Sequence, residues 1–335
     1  AYEVTAEQKW LDIVKAYWNS AVTERGCYAT GGQTCGEIWT PKHEMNARLG
    51  DKNQEHCVVY NMMRLAEFLF RWTGESRFAD YWERNLYNGI MAQGYWDGHA
   101  NATNGECHDH PMTGLLTYFL PLRGGARKFW ASRTQDFFCC HGSLVQANAS
   151  HTNGMYYHDD DSIAVCQYFD SVLTSEFGGQ RITLEQKIDP LNGTNHTSSD
   201  SAGTQAINRL TRVYQHDPNK LAVRFRIKTD KAVRFTLKLR VPFWLKGEPV
   251  VAVNGEPVSV KADERGFLEV TRDWQDDEVY LELQKGITVC PLPGDDTRIA
   301  FLNGPIVLAG LCDEERTLYP ESAQPLEPLL APDNG

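Results

Sequence analysis

The sequence predicts a helical domain followed by all-β structure, a multidomain α-then-β chain. Three observations carry this. Apolar residues recur at helical spacing in three segments before about residue 95. After about residue 153 the apolar runs become short and alternating, and Gly, Pro, Asn and Asp part them. A chain of 335 residues, 41% hydrophobic and 23% charged, is also long enough for two or more domains with their own cores.

The helices come first. In "EQKWLDIVKAYWNSAV", Trp10, Ile13, Val14, Tyr17 and Trp18 share a helical stripe. In "EHCVVYNMMRLAEFLFRWTG", Val58, Met62, Leu65 and Leu69 line one face, and Gly74 is placed to end the helix. In "SRFADYWERNLYNGIMAQ", Ser76 can cap, and Phe78, Tyr81, Trp82 and Leu86 continue the pattern. Between them lie long Gly-, Thr- and Asn-rich loops at 26–54 and 94–113, of a length that usually serves function.

From about residue 153, "SIAVCQYF", "RITLEQKI", "KLAVRFRI", "VRFTLKLRV", "VVAVNGEPVSV", "GFLEVTR", "EVYLELQ" and "RIAFLNGPIVLAG" read as strands of antiparallel β-sandwiches. The Asn-Gly in "VNGEP" predicts a tight hairpin. The stretch 192–206 is polar and reads as an exposed loop. The expected division is 1–152 helical and 153–335 β, with a break near 215–220 if the β region holds two sandwiches.

Charge and composition exclude some classes. A formal net charge of −11 argues against nucleic acid or an anionic membrane as partner. No apolar run reaches the length of a membrane span. The chain opens "AYEVTAEQ" without Met, so either a leader is removed or the sequence is a piece of a longer protein, and the compartment stays open. The 9 Trp, 14 Tyr and 14 Phe suit either stacking platforms for sugars or well-filled cores. The sequons at Asn101, Asn148, Asn192 and Asn195 matter only in a eukaryotic secretory host.

The nine cysteines are an odd number in a chain too large to need disulfide staples, which favours metal or catalysis. The "FFCCHG" stretch places Cys139 and Cys140 side by side, and "NQEHC" places Glu55 and Cys57 two residues apart at a helix start. Two short pairs joined by a long connection is how many zinc sites are assembled, and zinc accepts thiolate and carboxylate ligands in a tetrahedron. On the residues alone the alternatives stay open. The vicinal pair could be a disulfide or two buried small hydrophobes, and Glu55 a first-turn acid favoured by the helix dipole.

A second constellation is "TGGQTCGEIWTP", residues 30–41, where glycines turn the chain and Glu37 stands near Trp39. A carboxylic acid beside a large apolar ring can act as a general acid; the other reading is an exposed loop glutamate. Cys35 reads as a packing residue. In "ECHDHP", Cys107, His108 and His110 read as loop hydrogen-bonding residues rather than a metal cluster, and His141 as either a substrate contact or turn chemistry. No G-x-S-x-G, P-loop or H-E-x-x-H motif occurs, so serine hydrolase, nucleotide-binding and zincin readings lack support.

Taken in order, "TGGQTCGE", "EHC…NMMRLAEFLFRWTGESRFADYWERNLYNGIMAQ", "TYFLPLRGGARKF" and "FFCCHGS" resemble the cysteine-dependent β-L-arabinofuranosidases of glycoside hydrolase families 127 and 146. "VPFWLKG", "VAVNGEP" and "LNGPIVLAG" look like that family's β-sandwich region, so the resemblance covers most of the chain. It implies a partial (α/α)6-barrel-type helical domain followed by antiparallel β-sandwich structure. Only four or five helices precede the β region, so the barrel's N-terminal half is expected to lie outside this chain.

The resemblance further implies a retaining exo-glycosidase acting on β-linked L-arabinofuranose or a similar plant-derived sugar. Its zinc would be held by Glu55, Cys57, Cys139 and Cys140, with Cys139 the nucleophile and Glu37 the general acid/base. Tyr118 and His141 are the expected sugar contacts. The partner would be an arabinose-containing glycan or glycoprotein oligosaccharide, with no nucleic acid or membrane, and the missing barrel half a second partner. The competing expectations are an inactive carbohydrate-binding or scaffold protein with a structural zinc, and a hydrolase of the same mechanism acting on another pectic sugar.

Overall fold

The computed structural model of the protein describes residues 1–97, 113–132, 135–188 and 219–310. The "ECHDHP" motif, three of the four sequons (Asn101, Asn192 and Asn195), the polar stretch 192–206 and most of the expected break at 215–220 lie outside the described residues. The chain divides into two units. The first holds Ala1–Thr73, Tyr81–His151 and the chain from Ile287 onward; the second holds Gly74–Asp80 and Thr152–Gly286.

In the first unit, α1 (Tyr2–Thr5) leads into α2 (Gln8–Trp18), which a π-helical turn over Asn19–Thr23 extends. The stripe expected on α2 is only partly used. Leu11 and Trp18 are buried, Trp18 edge-on to Tyr81 at 4.8 Å, whereas Ile13 and Tyr17 stay 58% and 45% exposed. Next comes a two-residue hairpin of β1 (Thr34–Cys35) and β2 (Ile38–Trp39).

The longest helix is α3 (His56–Thr73). It buries His56, Val59, Met62, Met63, Ala66, Leu69 and Phe70, an i, i+3, i+4, i+7 ladder that makes one continuous apolar face. It stops where Gly74 takes a φ of +70°, a conformation glycine adopts without strain. Helix α4 (Ser76–Asn85) passes into a π-helical segment, Leu86–Met91. Gly89 in that segment is required by packing, because a Cβ there would come within 2.7 Å of the Val59 side chain. Strands β3 (Gly94–Asp97) and β4 (Thr113–Leu116) pair antiparallel, and α5 (Cys139–Ala149) buries Cys140, Ser143, Leu144 and Ala147.

The second unit is one eight-stranded sheet. Its strands are β5 (Tyr156–His158), β6 (Ser162–Val165), β7 (Ser171–Phe177), β8 (Gln180–Ile188), β9 (Lys220–Arg240), β10 (Val250–Val253), β11 (Glu256–Pro257) and β12 (Phe267–Gln284). The main path runs β11-β10-β12-β9-β6-β5, and β7 joins through β8, which pairs with β9. Pairing is antiparallel except between β6 and β9.

Two pairs of sequence runs fuse here. "KLAVRFRI" and "VRFTLKLRV" form the single strand β9, and "GFLEVTR" and "EVYLELQ" form β12. No Gly or Pro interrupts either strand, so the backbone pairs straight through the polar midpoints. A register shift between Trp274 and Asp276 marks the join. It switches the buried side chains of β12 from Leu268, Val270 and Trp274 to Val279, Leu281 and Leu283, from even to odd positions. A bulge does this because one added residue turns the period-two pattern over. All six belong to one core with Val223, Phe225, Ile227, Phe235, Leu237 and Leu239 of β9. The expected Asn-Gly turn joins β10 to β11, with φ of 52° and 84° at Asn254 and Gly255.

The remaining strands, β13 (Ile287–Leu292), β14 (Asp295–Asn303) and β15 (Ile306–Val307), make a three-stranded antiparallel sheet within the first unit. Asn88 fastens it by donating to the Pro305 carbonyl at 2.8 Å and accepting from the Val307 N–H at 2.8 Å.

Candidate metal centre and active site

Four segments of the first unit build the site: the β1–β2 hairpin, the start of α3, the Tyr118 segment after β4 and the start of α5. The hairpin turn is Gly36–Glu37, and both residues have positive φ, 61° and 66°. That geometry fits a two-residue hairpin whose turn follows the twist of the strands. Gly36 adopts it freely; a glutamate seldom does, and such residues cluster where function holds them. The turn presents Glu37 as an exposed carboxylate at the hairpin tip.

The start of α3 is held from beneath. Gln54 is fully buried with a φ of 53°, and its amide accepts from Thr30 and from the Gly32 N–H while donating to the Asn88 carbonyl. Gly32 must be glycine, since a Cβ would sit 2.5 Å from the Gln54 side chain. Buried Gln93 donates to the carbonyls of Gln54, Thr117 and Tyr118 at 3.0, 3.3 and 3.2 Å, which fixes the Tyr118 segment against the helix start. Sequence reasoning missed both glutamines. A buried Gln carries no motif, and its role shows only as hydrogen bonds to backbone.

Glu55, Cys57, Cys139 and Cys140 converge, each offering a ligand atom within 4.8 Å of all the others. Sγ–Sγ distances are 3.4 Å for Cys57–Cys140 and 3.9 Å for Cys139–Cys140, and Cys139 Sγ lies 3.9 Å from Glu55 Oε1. Sulfurs at tetrahedral zinc stand about 3.8 Å apart, so the cluster has the right size. Cys139 and Cys140 are not disulfide-bonded.

The electrostatics point the same way. Burial, and then the Glu37 carboxylate, push the Glu55 pKa up; burial pushes the Cys57 thiol up to about 11 and the Cys140 thiol higher still. Glu55, Cys57 and Cys140 thus resist ionisation unless a cation neutralises them, and a bound divalent ion reverses that preference. The donor set therefore fits zinc.

Only one thiol of the cluster faces outward. Cys139 is exposed, Cys57 half-buried and Cys140 buried. The Tyr118 hydroxyl lies 3.5 Å from Cys139 Sγ and 3.5 Å from Glu55 Oε1, and donates to Glu37. One phenol thus joins the hairpin-tip carboxylate to the exposed thiol. Burial raises the Tyr118 pKa, and Cys139 and Glu37 raise it further, so the phenol keeps its proton to donate.

Trp39, two residues after Glu37, meets Tyr17 edge-on at 6.3 Å and takes the Arg25 guanidinium over its ring at 5.6 Å. His141 caps α5 by accepting from the Phe138 N–H at 2.9 Å, and its ring stacks on Phe137 with centroids 5.6 Å apart. Phe137 itself is 84% exposed.

The model of the β-L-arabinofuranosidase GH127 catalytic domain matches residues 1–153, and that of the GH127 middle domain matches residues 194–285. The chain is 26% identical over 316 residues to a non-reducing end β-L-arabinofuranosidase of Bifidobacterium longum subsp. longum, covering 90% of this chain and 42% of that protein. Among solved structures it resembles a GH127 β-L-arabinofuranosidase from Geobacillus stearothermophilus T6, with 20% identity, a TM-score of 0.59 and coverage of 87% and 41% of the two chains. It also resembles a GH127 β-arabinofuranosidase with 20% identity, a TM-score of 0.66 and coverage of 91% and 44%. The chain thus spans less than half the length of these relatives.

Proposed function

Given that the chain belongs to the GH127 β-L-arabinofuranosidase family, we propose that it is a retaining exo-glycoside hydrolase. It removes β-linked L-arabinofuranose, or a closely similar plant-derived sugar, from a glycan or glycoprotein oligosaccharide. The observation that carries this is the Tyr118 hydroxyl bonded to Glu37 and 3.5 Å from Cys139, the exposed thiol of the cluster.

Glu55, Cys57, Cys139 and Cys140 would hold zinc, whose charge keeps the Cys139 sulfur deprotonated. The Cys139 thiolate attacks the anomeric carbon and the glycosidic C–O bond breaks, while Glu37 gives its proton to the departing oxygen. The Glu37 carboxylate then takes a proton from water, and the water oxygen displaces Cys139 by breaking the C–S bond. Two inversions return the original configuration. In most retaining glycosidases a second carboxylate is the nucleophile; here the thiolate has that place. Tyr118 orients Glu37 and Cys139, and the His141–Phe137 stack offers the sugar a flat platform beside them.

The finer fold reading follows. The helices of the first unit form part of an (α/α)6 barrel whose other half lies in sequence outside this chain, in keeping with coverage of 42% of the Bifidobacterium relative. The test is proton NMR of the released sugar during hydrolysis of 4-nitrophenyl β-L-arabinofuranoside, with the barrel's other half supplied. The β-anomer should appear first. The α-anomer first, or no release from any L-arabinofuranoside or closely similar plant-sugar glycoside, would overturn the reading.

A further inference from the structure

The metal cluster leaves two polar residues to be explained. His56 lies between ligands Glu55 and Cys57, and Ser143 lies three residues after Cys140. Both are buried, His56 completely. Ser143 Oγ is 3.0 Å from His56 Nδ1, 3.3 Å from Cys57 Sγ and 3.2 Å from the Cys140 carbonyl oxygen. His56 Nε2 is buried and meets no partner among the described residues.

The proton positions follow from these contacts. Were Nε2 protonated, its N–H would be a buried donor without an acceptor, the costlier way to leave a polar group unsatisfied. The proton therefore sits on Nδ1, which donates to Ser143 Oγ. A serine hydroxyl has one hydrogen to give. With its lone pair engaged by His56, Ser143 turns that hydrogen toward Cys57 or the Cys140 carbonyl, and a thiolate is the stronger acceptor.

We propose that His56 and Ser143 form a hydrogen-bond relay that positions Cys57 as a metal ligand. The order is His56 Nδ1–H to Ser143 Oγ, then Ser143 Oγ–H to Cys57 Sγ. The relay reaches the one half-buried sulfur, joins the first turn of α3 to the first turns of α5, and restrains the pair of helices on which the ligands stand. His56 and Ser143 are positioning residues that touch neither substrate nor reacting atoms. The proposal rests on the reading that the four-residue cluster binds zinc.

The test is zinc affinity by competition with a chromophoric chelator, together with the thiolate-to-cobalt absorption band of the cobalt(II)-loaded protein. Ser143→Ala and His56→Leu should each weaken zinc about 10–100-fold, the usual effect of removing an outer partner of a metal ligand. Both should shift the cobalt band. Ser143→Thr and His56→Asn, which keep the donors in place, should restore affinity to within a few-fold of the parent. The double variant Ser143→Ala/His56→Leu should bind no more weakly than the weaker single variant, because the two act as one unit. If His56→Leu fails to fold, the Ser143→Ala and Ser143→Thr comparison decides. Parent-like zinc affinity in Ser143→Ala, or additive losses in the double variant, would overturn the relay and leave the zinc reading intact. A parent protein that takes up no zinc would overturn both.

Discussion

The hydroxyl of Tyr118 stands 3.5 Å from the sulfur of Cys139 and donates to the carboxylate of Glu37. A tyrosine two residues beyond β4 thereby ties a hairpin tip to a helix start, and proposed nucleophile and proposed acid/base share one contact. Tyr118→Phe should keep the fold and lower kcat about 10–100-fold with little change in KM, the expected loss for a hydrogen bond to a charged group. Steady-state kinetics at saturating substrate check this; an unchanged kcat would remove Tyr118 from the machinery.

Glu37 has the role of proton donor to the leaving oxygen. Glu37→Gln should slow hydrolysis of an alkyl or sugar aglycone by about 10²–10⁴-fold. A 4-nitrophenyl substrate, whose leaving group needs no proton, should suffer far less in the first step, and added azide should speed breakdown of the intermediate. Comparing the two substrates with and without azide separates this role from a structural one. Equal losses on both substrates, without azide rescue, would argue that Glu37 only supports the hairpin.

Among the thiols, exposure distinguishes the roles. Cys139→Ala removes the exposed sulfur and should reduce turnover to background while circular dichroism and thermal unfolding stay close to those of the parent. Cys140 is fully buried against Leu116 and Leu144, so Cys140→Ala should lose metal and thermal stability together. If Cys139→Ala retained activity and Cys140→Ala alone lost it, the assignment of the two neighbours would be reversed.

The second unit has its own test. Arg240 is fully buried and paired with Asp80, and its Nε donates to the Cys166 carbonyl at 2.5 Å. Asp80→Ala would remove the carboxylate paired with this buried guanidinium, and should cost about 3–5 kcal/mol. Urea unfolding followed by the fluorescence of Trp274, whose buried indole donates to the Phe235 carbonyl at 2.9 Å, would report the loss. A cost under about 1 kcal/mol would show that water reaches the pair.

How far the sequence disclosed all this varies by element. Helix α3 was legible because its apolar face repeats over several turns and Gly74 ends it; the face is anchored at Met62 and Leu69 as the spacing indicated, with Val59 and Ala66 completing it. Helix α2 shows the limit of periodicity, which records that Ile13 and Tyr17 share a stripe but not whether anything packs on them. The long strands β9 and β12 read as four runs because their polar midpoints look like turns, while the pairing that continues through them is set by the partner strand. The "E-x-C" and "CC" pairs were visible as ligand types, and their convergence within 4.8 Å needed the fold. Tyr118 was named from sequence as a sugar contact; its bond to Glu37 joins residues 81 positions apart, beyond the reach of any local pattern. Gln54, Gln93, His56 and Ser143 stand inside the quoted stretches without a role there, and their buried hydrogen bonds reveal what they do.

The central claim is that the sulfur of Cys139 forms a bond to the sugar. It is tested most directly by mixing the Glu37→Gln protein, with the barrel's other half supplied, with 4-nitrophenyl β-L-arabinofuranoside, quenching in acid within the first turnover, and mapping the adduct by peptide mass spectrometry. The account predicts one pentosyl residue on the peptide carrying Cys139 and Cys140, with fragment ions that place it on Cys139. A pentosyl group found on a carboxylate such as Glu55, or on Cys140, would contradict it.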